Sequence, residues 1–163
     1  PTNNIMGLDM YLFKTKKTNH SVKELNALDR YDLSPDDEDI KEFLPLYESK
    51  YEDGRYSIFK EISYWRKFNA LHSWFVTNVQ IGVDDCGSYE VSQDHIDDLL
   101  LTLENTLAYR DPTDMMPVSG FFFGSTIVDE YYWQNMEDTY DKIYNISTTF
   151  DWEKERLFYM SSW

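Results

Sequence analysis

Apolar residues near the start of the chain recur with a period of two. From Gly7 to Lys14 the sequence GLDMYLFK sets Leu8, Met10 and Leu12 against Asp9, Tyr11 and Phe13. That alternation predicts a β-strand, because successive strand side chains point to opposite faces. The same period returns at the other end. In the strand predicted from Glu153 to Ser162, Leu157, Tyr159 and Ser161 alternate with Phe158, Met160 and Ser162. The two terminal strands are expected to pair, antiparallel, which hides two otherwise open edges. Residues 88–91 are a candidate third strand.

Between these ends the period changes to three and four. Ser21 is placed to cap a short helix through Leu28, with Val22, Leu25 and Leu28 on one face. Ser34-Pro35-Asp36-Asp37-Glu38 has the signature of a helix start, with a cap, a proline at the first position and acids near the positive end of the dipole. Ile40, Phe43 and Leu44 would form its stripe, and Pro45 would bend or end it. Ile62 to Gln80 reads as one long helix through Ile62, Trp65, Phe68, His72, Phe75, Val76 and Val79. Val83 to Gly87 is a turn. Ser92 caps a helix to about Tyr109 with Ile96, Leu99, Leu100, Leu103 and Leu107 as its stripe, and Asp111-Pro112 stops it. Asp129 and Glu130 open a further helix to about Ser147, carrying Trp133, Met136, Tyr140 and Ile143 on one side. The expected fold is α+β: about four helices packed on a small, mainly antiparallel sheet that includes both termini. One compact domain over residues 1–163 is expected, with 1–5 as a short extension.

The stretch Ser119 to Trp133, SGFFFGSTIVDEYYW, stands apart. Gly120 and Gly124 bracket three phenylalanines, which cannot all face one way on a strand or a helix. It reads as a buried junction or the wall of a pocket.

Charge narrows the function classes. Thirty acids against 15 bases give a net charge of −15, which repels nucleic-acid phosphates and anionic membranes and favours basic partners. From Asp29 to Asp53 there are ten acids and three bases. Asp36, Asp37, Glu38, Asp39 and Glu42 crowd one element start, more than its dipole needs, and form a candidate partner-binding face. The single cysteine, Cys86, excludes an intrachain disulfide and fits a reducing, cytoplasmic setting. No apolar run approaches a membrane span, and the N-terminus reads without a signal-peptide core.

No phosphate loop, zinc helix or nucleophile elbow is present. His72 or His95 with Asp84, Asp85 or Cys86 has suitable ligand types but no recognised metal spacing, so neither metal nor cofactor is expected. A Cys86–His72–Asp thiol nucleophile rests on residue identity alone. His72 falls in an apolar stripe and reads first as a core histidine. Asp129 and Glu130, beside Ser125 and Thr126, have acid–base chemistry available, but capping explains them more simply.

The chain resembles a family of small phage and prophage proteins. The resemblance rests on Met6-Gly7-Leu8-Asp9-Met10-Tyr11-Leu12, on Tyr64-Trp65-Arg66-Lys67 followed by Asn69 and His72, on Asp85-Cys86, and on SGFFFGST with DEYYW. It spans most of residues 6–133. Some members carry the label phosphoglycerate kinase, which the residues do not support: the chain is far too short and lacks a nucleotide site. The resemblance implies a phage gene, and that Arg66, Asn69, His72, Asp85, Ser125, Asp129 and Glu130 line one shared feature. Together with the charge, it leads to the expectation of an acidic protein that binds a host protein with a basic surface, without direct nucleic-acid or membrane binding. The alternatives are a small-molecule binder or enzyme with a pocket around His72 and the aromatic junction, and a virion or assembly component.

Overall fold

The computed structural model describes residues 7–48, 54–120 and 124–163. Phe121, Phe122 and Phe123 of the aromatic junction lie outside the described residues, as do Met6 and the Glu52-Asp53 part of a turn.

The two terminal strands pair along their whole length. Strand β1 (Asp9–Lys16) runs antiparallel to β6 (Glu155–Ser162), from Asp9 opposite Ser162 to Lys16 opposite Glu155. Outside β6 lies β5 (Tyr89–Val91), and outside β1 lies β4 (Lys60–Arg66), both antiparallel. The order β4-β1-β6-β5 makes the terminal strands the centre of a four-stranded sheet. A separate small hairpin joins β2 (Tyr47–Glu48) to β3 (Tyr56–Ser57).

One face of the sheet presents Met10, Leu12, Trp65, Val91, Leu157 and Tyr159, all buried in the main core. Three helices cover that face: α2 (Asn69–Asn78), α3 (Gln93–Tyr109) and α4 (Glu130–Thr149). Leu99 and Leu103 of α3 and Met136 and Ile143 of α4 meet it with fully buried side chains. Among the described residues the other face is only partly covered. Helix α1 (Val22–Leu28) and a 3₁₀ segment (Glu38–Phe43) pack there, giving a second cluster of Leu25, Leu33, Ile40, Phe43, Ile58 and Phe158. Phe158 therefore faces away from its neighbours Leu157 and Tyr159, as the strand period requires. Thr15 is fully buried on that side and donates from Oγ1 to the Ile58 carbonyl at 2.8 Å.

Local chemistry explains the helix starts. The Ser21 hydroxyl accepts from the Glu24 N–H, and Asp129 accepts from the Tyr132 N–H. Ser92 and His95 form a reciprocal capping box: the Ser92 hydroxyl takes the His95 N–H, and His95 Nδ1 takes the Ser92 N–H. His95 is thereby a cap.

Two predicted helices are corrected. Residues 60–66 form a strand, and the helix expected from Ile62 begins only at Asn69. The spacing of Trp65, Phe68 and His72 runs through a turn at Lys67, so its helical period is accidental. The β-branched and aromatic run Ile62-Ser63-Tyr64-Trp65 suits a pleated surface, and the otherwise open edge of β1 supplies its partner. The segment opened by Ser34 winds only into the 3₁₀ turns of 38–43. There the Ser34 N–H bonds Asp37 Oδ2 and the Asp36 N–H bonds the Ser34 hydroxyl, so side chains compete for the groups a helix would use. Tyr140, expected in the core, is half-buried, while Thr139 is fully buried.

The outer edge of β4 is blunted by α4. Lys142 donates to the Tyr64 carbonyl at 2.8 Å and lies over the Trp65 ring at 5.0 Å, leaving that edge a poor template for another strand. Among the described residues no helix is long and apolar enough to cross a membrane.

Leu103 joins α3 to the main core with no exposed surface. Leu103→Ala is expected to cost about 2–5 kcal/mol, read as a lowered urea midpoint. An unchanged midpoint would contradict this packing.

Candidate functional site

Four of the seven residues singled out as one feature do converge. Arg66, Asn69, Ser125 and Asp129 line a cleft of about 350 Å3 between the β4–α2 turn, Pro117, residues 124–127 and the start of α4. Asn69 organises it. Its side chain is 2% exposed; Nδ2 donates to the Ser125 carbonyl at 2.9 Å and Oδ1 accepts from the Val118 N–H at 3.0 Å. One amide thus pins Val118 and Ser125 to the first turn of α2. The Ser125 hydroxyl accepts from the Ile127 N–H at 3.1 Å, and Asp129 caps α4. Arg66 reaches Asp9 at 3.0 Å, and Tyr64 donates its hydroxyl to the same carboxylate. Burial first, and then that carboxylate, raise the Tyr64 pKa, so the phenol stays a donor.

The other three are held elsewhere. His72 is 1% exposed and sits inside the core. Its Nε2 lies 3.0 Å from Asp84 Oδ1 and its Nδ1 lies 2.7 Å from the Tyr159 hydroxyl. A carboxylate only accepts, so Nε2 carries the proton; the neutral ring then accepts at Nδ1 from the phenol. Burial supports this assignment by lowering the His72 pKa, against the opposing pull of Asp84, and by raising that of Tyr159 well above its ordinary value. The Trp163 indole donates to Asp84 Oδ1 at 3.1 Å and closes the chain of bonds. With both ring nitrogens engaged, His72 has no lone pair for the Cys86 thiol, and the Cys86–His72 nucleophile is discarded. Asp85 holds its own turn, accepting from the Gly87 N–H at 2.9 Å and from the Tyr89 hydroxyl at 2.8 Å. Those bonds, the backbone one first, lower its pKa. Glu130 lies on the exposed side of the first turn of α4, 3.2 Å from Arg110. Its neighbour Asp129 faces the cleft, because adjacent residues at a helix start do not share a face.

The acidic candidate face has a local account. Arg30 contacts Asp37 at 2.8 Å and Asp39 at 2.8 Å, and approaches Asp32 at 3.8 Å. Lys41 holds Glu38 at 2.8 Å, and His20 Nδ1 lies 3.4 Å from Glu42. Among the described residues Asp36 is the one member of the five without an ionic partner. Arg30 gathers two of the five, Asp37 and Asp39.

A larger cleft, of about 740 Å3, opens on the partly covered face of the sheet. Tyr11, Phe13, Phe59, Phe158 and Met160 form its floor. The Tyr11 and Phe13 rings stack at 5.4 Å, and Phe59 meets Phe158 edge-on at 5.6 Å. Asp29 stands in the wall, accepting from the Ile58 N–H at 2.9 Å and from the Ser57 hydroxyl at 2.9 Å. Burial raises its pKa in spite of those bonds. Arg55 Nε is buried with no hydrogen-bond partner among the described residues. Its guanidinium lies 5.3 Å from the Tyr31 ring centre, and the Lys60 ammonium lies 5.8 Å from that of Tyr47. Sequence reasoning missed this cleft. The signal was the aromatic pair Tyr11 and Phe13 on the nominally polar face of the first strand. Its walls, however, come from segments far apart in the chain. Among the described residues no group of three or more His, Cys, Asp or Glu could hold a metal ion.

The buried imidazole gives a pH dependence. Its folded pKa lies below the ordinary 6.5, so the unfolded chain binds its proton more readily. The stability contributed by neutral His72 is therefore full above pH 6.5 and is lost as the pH falls through the lower folded value. Wild type should lose more of its urea midpoint than His72→Gln between about pH 7.5 and about pH 5. Equal losses would mean that His72 is not held neutral.

Comparison with known protein families, with curated proteins and with solved structures gives no match.

Proposed function

We propose that this chain is an acidic binding protein that captures a basic protein, and that the larger cleft takes a cationic side chain of that partner. The resemblance to phage and prophage proteins points to a partner from the bacterial host. The observation that carries this reading is the aromatic floor of Tyr11, Phe13 and Phe59 on an incompletely covered sheet face, with Asp29, Glu48 and Glu61 around it.

Ring faces attract cations through their quadrupoles, by about 0.5–1 kcal/mol at exposed sites and about 2 when desolvated. One ring of the cleft, Tyr47, already makes this contact with the protein's own Lys60. The carboxylates add charge-assisted hydrogen bonds for a guanidinium or ammonium. The volume falls in the range of ligand clefts, about 300–1,000 Å3, which accommodates a long side chain and its neighbours. The net charge of −15 acts at longer range, steering a basic partner towards any face of the molecule. Specificity then belongs to the cleft and encounter rate to the overall field. The ion pairs around Arg30 reduce the free charge of the 36–42 segment, which makes that segment a contributor to steering rather than the contact itself.

The reading is tested on a host protein retained by the immobilised wild-type chain. Tyr11→Ala with Phe13→Ala should weaken its binding about tenfold or more, and raised salt should slow association. The same affinity in the double variant, once shown to be folded, would overturn the assignment of the cleft.

A further inference from the structure

The net charge acts as one at long range, but at contact distance it is unevenly placed. Residues 68–150, which hold α2, α3 and α4, carry 14 acids and two bases, so −12 of the −15 belongs to them. Both bases are engaged. Lys142 turns to the Tyr64 carbonyl and to Asp138, and Arg110 meets Glu130 and lies over the Trp133 ring. Helices α3 and α4 lie side by side over the sheet and run antiparallel. Arg110 at the end of α3 reaches Glu130 at the start of α4, and Glu104 further back lies beside Tyr140. Their inner sides form the main core. Their outer sides meet in a seam that faces solvent.

That seam is not uniformly polar. On α3, Asp97, Leu100, Leu101 and Glu104 stand at i, i+3, i+4 and i+7. On α4, Glu137, Tyr140, Asp141 and Tyr144 repeat the same spacing, which puts each set on one side of its helix. Leu101 is 57% exposed and Tyr144 50% exposed, while Leu100 and Tyr140 are half-buried at the margin of the core. The Tyr140 and Tyr144 rings stack at 6.0 Å. Burial first, and then the nearby Glu104, raise the Tyr140 pKa, so that ring stays a neutral phenol among carboxylates. The result is an apolar seam with carboxylates on both rims. An amphipathic helix fits such a seam by laying its apolar ridge along it. Lys and Arg beside that ridge cover apolar surface with their stems and carry their charges to the rims. The 17 residues of α3 span about 25 Å, enough for a partner helix of four turns. A second copy of this chain would set like charges against each other, as would a nucleic acid. We propose that the α3–α4 seam docks a basic amphipathic helix of a partner protein, with its apolar ridge on Leu101 and Tyr144 and its cations on the rim carboxylates. The seam lies on the far side of the sheet from the aromatic-floored cleft and does not depend on the reading of that cleft.

The probe is a synthetic peptide of about 14 residues, four helical turns, with Leu on one side and Lys on the other. Its control is oligolysine of the same length. Fluorescence anisotropy of each labelled peptide against the full chain gives the affinity, and amide NMR shifts of the full chain locate the contact. Shifts centred on residues 97–104 and 137–144 are expected, with the Leu–Lys peptide bound about tenfold or more tighter than oligolysine. Leu101→Ser with Tyr144→Ser changes two exposed side chains and should weaken the Leu–Lys peptide about tenfold or more in folded protein. Equal affinity for the two peptides would overturn the proposal, because the seam would then offer charge alone. Equal affinity in the folded double variant would overturn it as well. Shifts centred on Tyr11, Phe13 and Phe59 would place the peptide in the larger cleft and remove it from the seam. Self-association of the wild type that the double variant abolishes would give the seam to a second copy and equally overturn the assignment.

Discussion

The pairing of the first strand with the last is the contact on which the rest of this structure depends. Its eight-residue ladder joins segments separated by nearly the whole chain and forms the middle of the sheet. Both central strands are therefore flanked on each side, and each face of β6 is offered to a different hydrophobic cluster. Closing so long a loop costs entropy that only later contacts offset. The main core is the compensation, since three helices can cover one continuous sheet face only when that ladder exists. The uncovered part of the opposite face is a consequence of the same arrangement. Among the described residues only α1, the 3₁₀ segment and the hairpin cover it, and they leave the rings of Tyr11 and Phe13 at the floor of a cleft.

Electrostatics is handled by different means inside and outside. On the surface, Arg30 gathers three carboxylates of a strongly acidic segment, which limits like-charge repulsion at little desolvation cost. In the interior, a neutral imidazole stands between a carboxylate and a phenol, so the buried polar groups satisfy one another without a buried cation. Burial and bonding act together there: each lowered or raised pKa keeps the proton where a hydrogen bond requires it.

The elements legible in the sequence are those decided by neighbours a few residues away. Period-two alternation revealed both terminal strands, and the caps Ser21, Ser92 and Asp129 marked three helix starts. The stripes of α3 and α4 revealed the faces that bury Leu99, Leu103, Met136 and Ile143. His72 was legible as a core residue from its place among apolar neighbours, although its partners Asp84 and Tyr159 were not. The acids of 36–42 were visible, but not that Arg30 gathers Asp37 and Asp39 among them.

Only the tertiary structure decided the rest. Residues 62–66 satisfy a helical spacing and a strand propensity at once, and the ladder to β1 selected the strand. The convergence of Arg66, Asn69, Ser125 and Asp129, and the dispersal of His72, Asp85 and Glu130, depend on how a loop and two helix starts meet in space. The larger cleft joins rings from β1 and β6 to Asp29 and Ser57, which no local window contains. Capping and periodicity act over a turn or a few strand residues, so the sequence by itself determined where elements begin and which face they bury. Clefts are made by surfaces that elements leave unburied after packing, and that remainder exists only once the long-range strand pairing has formed.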